Sequence, residues 1–222
     1  MNKIVVFANQ KGGVGKSTLC TLFADYLIWR GVEVCVIDTD LQKSLVMQRR
    51  KDEQAYGEEA PYVIQGFDVS DPSTMSALMQ SAREVDGVVL IDTPGNVSED
   101  GLVPLFDQCD MIVCPYEYED KSLDSTGVFV QVVEGILGEV SEDRPELVFV
   151  PNRYDSRFGN GPEREMWRQI DEAFGAVGVL APPIAYRACL KRTDTYVIQP
   201  VQRGVVRECF EYLIRRLGVL RK

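Results

Sequence analysis

The residues of this chain whose types and spacing can do chemistry concentrate in one run, Lys11-Gly12-Gly13-Val14-Gly15-Lys16-Ser17-Thr18. Glycines at this density let backbone N–H groups turn inward around an anion, and a helix beginning after them adds its partial positive charge. In such a loop Lys16 reaches the β- and γ-phosphates of a nucleotide and Ser17 ligates magnesium. A glycine-rich turn with solvated lysines is the plainer alternative. The position of the Gly-Lys-Ser core between an apolar run and a helical pattern favours the phosphate loop.

Three further candidates stand immediately after apolar runs: Asp38-Thr39-Asp40-Leu41-Gln42, Asp92-Thr93-Pro94-Gly95 and Pro151-Asn152-Arg153-Tyr154-Asp155. A hard cation takes carboxylate oxygens and waters, and phosphoryl transfer needs its nucleophile placed in line, so acids at strand ends beside a phosphate loop suit both tasks. Asp92 in that position can hold the water shell of magnesium. The polar, glycine-flanked stretch 96–101 is expected to rearrange with the γ-phosphate. Two alternatives stay open: acids in a solvated turn, and an asparagine that only forms a turn. The chain holds no histidine. That excludes Ser-His-Asp and Cys-His nucleophile systems, histidine zinc sites and any imidazole base, leaving backbone, lysine, carboxylate and magnesium.

What must position these residues is legible as five short runs, Ile4 to Ala8, Val34 to Ile37, Val88 to Ile91, Met111 to Cys114 and Leu147 to Val150. None alternates polar with apolar. Continuous Val- and Ile-rich runs separated by helical periodicity predict parallel strands buried on both faces by crossover helices, an α/β fold with a doubly wound, mainly parallel sheet. Ligands then bind outside the carboxyl ends of the strands. Leu19, Leu22, Phe23, Tyr26 and Leu27 predict a first helix with one apolar face, stopped by Gly31. The acidic stretch Asp52 to Tyr62 is expected to be an exposed loop before a further strand near Tyr62 to Gly66.

At 222 residues and 45% hydrophobic content the chain can bury one good core, so a single domain over 1–222 is expected. No apolar run approaches the ~20 residues of a membrane span, and Met1-Asn2-Lys3 leads into a run too short for a signal-peptide core, so a cytoplasmic protein is expected. The six cysteines form no Cys-x-x-Cys pair and are expected to stay reduced. Net charge is -10, yet Arg187 to Lys222 holds nine basic residues against three acidic ones, +6 on a body of -16. In the last helix Val206, Phe210, Leu213 and Leu217 make an apolar seam, while Arg203, Arg207 and Arg215 lie elsewhere. That basic face either meets phosphates or merely balances an acidic body.

The run Lys-Gly-Gly-x-Gly-Lys-Ser/Thr, with Gln10 where a strict phosphate loop has glycine, resembles the deviant P-loop family of ParA partition ATPases, MinD, the nitrogenase iron protein and arsenite-pump ATPases. The resemblance extends over nearly the whole chain, and the Asp38 to Gln42 segment is similar to the family's Asp-x-Asp-x-Gln. It implies a P-loop NTPase fold, ATP and magnesium as ligands, and slow ATP hydrolysis. Gly12 to Thr18 would cradle the phosphates, Ser17, Asp38 and Asp92 would serve the metal, and Asp40 would position the attacking water. Asn152 would contact adenine, with Pro182-Pro183 as the opposite wall. Lys11 would reach the partner's phosphates in an ATP-dependent homodimer.

The Asn9-Gln10-Lys11 opening, on a chain beginning directly at its first strand, is most similar to small ParA-type proteins lacking an N-terminal DNA-binding extension, including those of plasmids and conjugative transposons. Partition or positioning of such DNA follows, with nucleoid association through sequence-independent DNA binding and a small DNA-binding adaptor that stimulates hydrolysis. No stable membrane insertion is expected. Two competing readings are a MinD-like membrane switch, with Leu213 to Lys222 as a basic amphipathic tail, and an ATPase coupled to a client protein.

Overall fold

The computed structural model describes residues 1–68, 72–95, 99–140 and 144–220. Its strands are β1 (Asn2–Phe7), β2 (Val34–Asp38), β3 (Val63–Gly66), β4 (Gly87–Asp92), β5 (Met111–Tyr116), β6 (Glu146–Pro151) and β7 (Val179–Leu180). The helices are α1 (Lys16–Trp29), α2 (Ser44–Tyr56), α3 (Pro72–Glu84), α4 (Glu99–Asp107), α5 (Asp120–Val140), α6 (Gly161–Val177) and α7 (Pro200–Leu217), with a short 3-10 turn at Ala188–Lys191. All seven strands pair in parallel in the order β3-β2-β4-β1-β5-β6-β7. Each predicted run is a strand, and the strand near Tyr62 to Gly66 is β3. Val5, Val6, Leu90, Ile91, Ile112 and Val113 are fully buried, as strands covered on both faces require.

β1 is central, flanked by β4 and β5. The chain winds first to one side of it and later crosses to the other, so the loop leaving β1 opens into the crevice at the strand-order reversal. Helix α1 follows that loop directly. Its buried residues run without a gap from Leu19 to Leu27, so it is covered nearly all round and the one-face expectation is corrected. The cause is position: α1 lies between the sheet and α7, where Phe23 meets Phe210 edge-on at 5.0 Å. Gly31, at φ +75°, ends it, with Gly31 N donating to Ile28 O and Val32 N to Leu27 O.

The exposed loop expected over Asp52 to Tyr62 is also corrected, because α2 continues through Tyr56. Arg49 and Asp52 are buried on it. The Arg49 guanidinium donates to Thr195 Oγ1 (2.8 Å) and Thr195 O (2.8 Å), and Asp52 Oδ2 accepts from Thr195 N (2.8 Å) and Oγ1 (2.9 Å). An acidic, polar segment is thus held helical by a partner far along the chain.

All six cysteines are free thiols, four of them buried. In α7, Val206, Phe210, Leu213 and Leu217 are buried as the seam predicts, whereas Arg207 and Arg215 are exposed.

Candidate functional site

The Lys11 to Thr18 loop leaves β1 under tight control. Asn9 is 2% exposed and donates through Nδ2 to Pro115 O (2.8 Å) and Thr126 Oγ1 (2.9 Å), while its Oδ1 accepts from Lys11 N (3.0 Å). Gly13 and Gly15 adopt φ +83° and +101°, a region side chains resist, and this is what lets the backbone curl before α1. Thr18 lies in the first turn of α1, whose leading N–H groups have no intrahelical partner.

Lys16 is 7% exposed and donates from Nζ to Lys11 O (3.2 Å), so its ammonium lies inside the loop. Burial lowers its pKa, and the carboxylates of Asp92 and Asp40 oppose that shift. Asp38 and Asp92 are register partners at the ends of β2 and β4. Both are fully buried, but their situations differ. Asp38 Oδ2 accepts from Leu45 N (2.9 Å) and Val46 N (3.2 Å) at the start of α2, and its Oδ1 accepts from Asp40 N (3.2 Å). Neither Asp92 oxygen has a hydrogen-bond partner. Burial raises the Asp92 carboxyl to about 7; the Ser17 hydroxyl, which approaches without reaching bonding geometry, lowers it, Asp38 raises it, Lys16 lowers it and Asp40 raises it.

An unpaired buried carboxyl costs free energy unless a charge or donor arrives. Two acids, a serine hydroxyl and a buried lysine beside the glycine loop form a donor set that fits magnesium and a polyphosphate. Gly95 completes the wall, since a Cβ there would stand 3.2 Å from Gly12 Cα. Asp40 is partly exposed at the rim, its Oδ1 accepting from Gln42 N (2.8 Å).

Asn152 is 5% exposed and donates from Nδ2 to Val14 O (2.8 Å), tying the end of β6 to the loop. A Cβ on Gly15 would meet that Nδ2 at 2.4 Å. Beside it lies a pocket of about 60 Å³ lined by Gly15, Thr18, Leu19, Asn152, Tyr186 and Lys191. That is well below the ~300–1,000 Å³ of ordinary ligand clefts, and the exposed Tyr186 and Lys191 form part of its wall. Pro182 does not line it. Pro182 instead joins Arg30, Arg207, Glu208, Glu211 and Arg215 around a groove of about 630 Å³, while Ala185 to Lys191 contribute to the small pocket.

The structure therefore brings Lys16, Ser17, Asp38, Asp40 and Asp92 together with the glycine loop, places Asn152 against the same loop and leaves Pro182 apart. The proposed rearranging stretch at 96–101 includes 96–98, which lie outside the described residues. Sequence reasoning used Asn9 only as part of the Asn9-Gln10-Lys11 opening and missed its anchor Thr126, 117 residues on, which leaves no local pattern.

Protein ParA of Rhizobium radiobacter is 30% identical over 123 residues, covering 55% of this chain and 51% of that protein, so the match spans about half the length of this curated relative. The structure of cobyrinic acid a,c-diamide synthase from Mycobacterium smegmatis with bound ATP analogue and magnesium superimposes with a TM-score of 0.72 at 21% identity, covering 100% of this chain and 98% of that one. That of pNOB8 ParA bound to nonspecific DNA gives 0.66 at 17% identity, covering 98% and 99%. At such identities the two structures speak for the fold. Residues 5–198 match the CobQ/CobB/MinD/ParA nucleotide binding domain, and the chain belongs to that family.

Proposed function

We propose that this chain is an ATP-driven dimerisation switch of the partition type, which hydrolyses ATP slowly and holds DNA without regard to sequence. The observation that carries the nucleotide reading is Asp92, buried with both oxygens unpaired beside Lys16. In this reading Gly12 to Thr18 wrap the phosphates and Lys16 neutralises the β- and γ-phosphates. Ser17, Asp38 and Asp92 hold magnesium, directly or through water, and when bound it offsets the charge of the phosphate oxygens. Asp40, at the rim, orients the attacking water. Asn152 keeps Oδ1 lone-pair capacity for the amino group of adenine. Lys11 acts across a homodimer, as an arginine finger does. The 222 residues work as one domain.

DNA binding draws on the likeness to a DNA-bound ParA and on charge. Arg207 and Arg215 line an open groove with Arg30, Glu208 and Glu211, where Arg30 is paired with Glu211, and Arg203 lies 4.5 Å from the Trp29 ring, so Arg207 and Arg215 are the exposed cations that this reading assigns to phosphates. A partition role with a small adaptor follows the family resemblance. The membrane reading is disfavoured by Leu213 and Leu217, which are 0% and 5% exposed and already spent on the core. No helix among the described residues is long and apolar enough to cross a membrane.

The test pairs two variants. Lys16→Ala is expected to lose binding of a fluorescent ATP analogue. Asp40→Ala is expected to bind ATP, dimerise and fail to turn over. Turnover by Asp40→Ala equal to that of the parent chain removes its assigned role. Undiminished nucleotide affinity in Lys16→Ala removes the phosphate-loop reading.

A further inference from the structure

Past the nucleobase pocket, across Tyr186 and Lys191, opens a second cleft of about 740 Å³ whose walls are aromatic. Trp167 of α6 stacks on Tyr118 at 4.7 Å and 24°, and Tyr118 meets Tyr154 edge-on at 5.9 Å. The Tyr118 hydroxyl donates to Asp171 Oδ2 (2.8 Å), and Tyr116 donates to Oδ1 of the same carboxylate (2.6 Å). A phenol bound to a carboxylate is electron-rich, which strengthens the negative face of its ring.

Phe158 completes the cleft and is 68% exposed. The chain holds it there deliberately. Phe158 N donates to Asp155 O (3.0 Å), Arg164 donates to Ser156 O (2.7 Å), and Gly159 sits at φ +85° with the Trp167 indole where a Cβ would stand, 2.7 Å away. The loop before α6 is thereby tightened so that a phenyl ring faces solvent beside an indole.

The rim is acidic. Glu117, Glu119, Asp155 and Glu163 line the cleft against two cations, Arg153 and Lys191. Arg153 is engaged with Glu117 (2.7 Å), Arg157 with Asp155 (2.6 Å) and Lys191 with the Tyr186 ring (5.1 Å), and Glu163 caps α6 by accepting from Asn160 N (2.7 Å). Glu119 is in no ion pair among the described residues. Elsewhere the same chain fills its aromatic surfaces with guanidinium: Arg49 lies over Tyr62 at 4.5 Å and Tyr196 at 5.3 Å, and Arg203 over Trp29. Among the described residues no cation lies over Tyr118, Phe158 or Trp167.

We propose that this cleft receives an arginine side chain presented by a basic segment of a protein partner. A guanidinium stacks flat on Trp167 and Phe158 and keeps N–H groups for Glu119, and it sheds water more easily than an ammonium. Nucleic acid is the wrong ligand, because its phosphates would face the surplus of carboxylates. The volume exceeds one guanidinium and suits a few neighbouring residues of a peptide.

The test uses nucleotide-free protein, so its outcome is separable from that of the ATP reading. Fluorescence anisotropy is followed for three labelled peptides of alternating serine with arginine, lysine or citrulline. Affinity is expected to fall in that order. Phe158→Ala, an exposed position that leaves the core untouched, and Trp167→Ala are each expected to weaken the arginine peptide by about tenfold. Glu84→Gln, an exposed acid on α3, is expected to leave it unchanged. Equal affinity for arginine and citrulline overturns the proposal, as does parent-like binding by both aromatic variants. An equal loss in Glu84→Gln would reduce the effect to general charge attraction and overturn it too. If the peptide does not bind while Phe158→Ala abolishes self-association in light scattering, the cleft belongs to a second copy and the proposal is likewise overturned.

Discussion

Asn9 Nδ2 and Thr126 Oγ1 lie 2.9 Å apart, both residues buried, and the same Asn9 side chain accepts from Lys11 N. Asn9, two residues before the glycine loop, is thereby tied to α5, an element more than a hundred residues away in sequence. This contact gives Lys11 a fixed origin from which its side chain extends. Thr126→Val removes the oxygen and keeps the shape, leaving one Asn9 amide proton unsatisfied at a cost of about 1–3 kcal/mol. Nucleotide affinity of the monomer is expected to stay near that of the parent chain, while ATP-driven dimerisation weakens several-fold. Thr126→Ser is expected to restore it. Light scattering against ATP concentration reads both, and a Val variant that dimerises normally would show that Lys11 needs no such anchor.

Gly15→Ala is expected to be worse than an ordinary glycine substitution. The position carries φ +101°, and the new Cβ would collide with Asn152 Nδ2 at 2.4 Å, so either the loop opens or Asn152 releases Val14 O. Backbone strain alone contributes about 1–3 kcal/mol. Thermal unfolding is expected to shift down, and ATP-analogue affinity to fall by more than that of Gly12→Ala, whose Cβ would meet nothing within 4 Å. Equal effects at the two positions would remove the Asn152 contact as the cause.

Asp25 gives a pH-dependent prediction. It is 3% exposed, and burial raises its carboxyl to about 8, against the Tyr62 hydroxyl that donates to it at 2.8 Å; Asp194 and Asp52 add to the rise and Arg49 opposes it. In the unfolded chain the same group titrates near ~4. A folded pKa above the unfolded one means the native state holds the extra proton, so this contribution is full below about pH 4 and is lost as pH rises towards about 8, at up to roughly 1.4 kcal/mol per pH unit. Asp25→Asn carries no such proton. Denaturant unfolding at pH 5, 6.5 and 8 is expected to show the variant gaining on the parent chain as pH rises. Parallel curves would count against a protonated Asp25.

The role proposed for the exposed arginines of α7 is tested by salt. Binding of the ATP-loaded Asp40→Ala chain to two unrelated duplexes is expected to be alike, with log affinity falling against log salt at about -0.9 per phosphate contact. Arg207→Glu and Arg215→Glu are each expected to weaken both duplexes uniformly and to flatten that slope by about one contact, with ATP binding intact. A trapped dimer that ignores both duplexes at low salt would turn the reading towards a client protein.

By itself, the sequence determined what is contiguous. The glycine loop, the strand-end acids Asp38 and Asp92, and the buried parallel runs are each set by neighbours in the chain, because phosphate-binding backbone and doubly covered strands leave a local pattern. Tertiary structure alone decided whatever depends on a distant partner. Asp52 reads as a solvated acid until Thr195, 143 residues on, supplies two donors to it. Pro182 lines the α7 groove, whereas Tyr186, four residues on, lines the pocket beside Asn152. The stack of Tyr118 on Trp167, the anchor from Asn9 to Thr126 and the unpaired state of Asp92 arise where separate segments meet. Periodicity records which face of a segment is buried, but only packing selects the side chain that faces it.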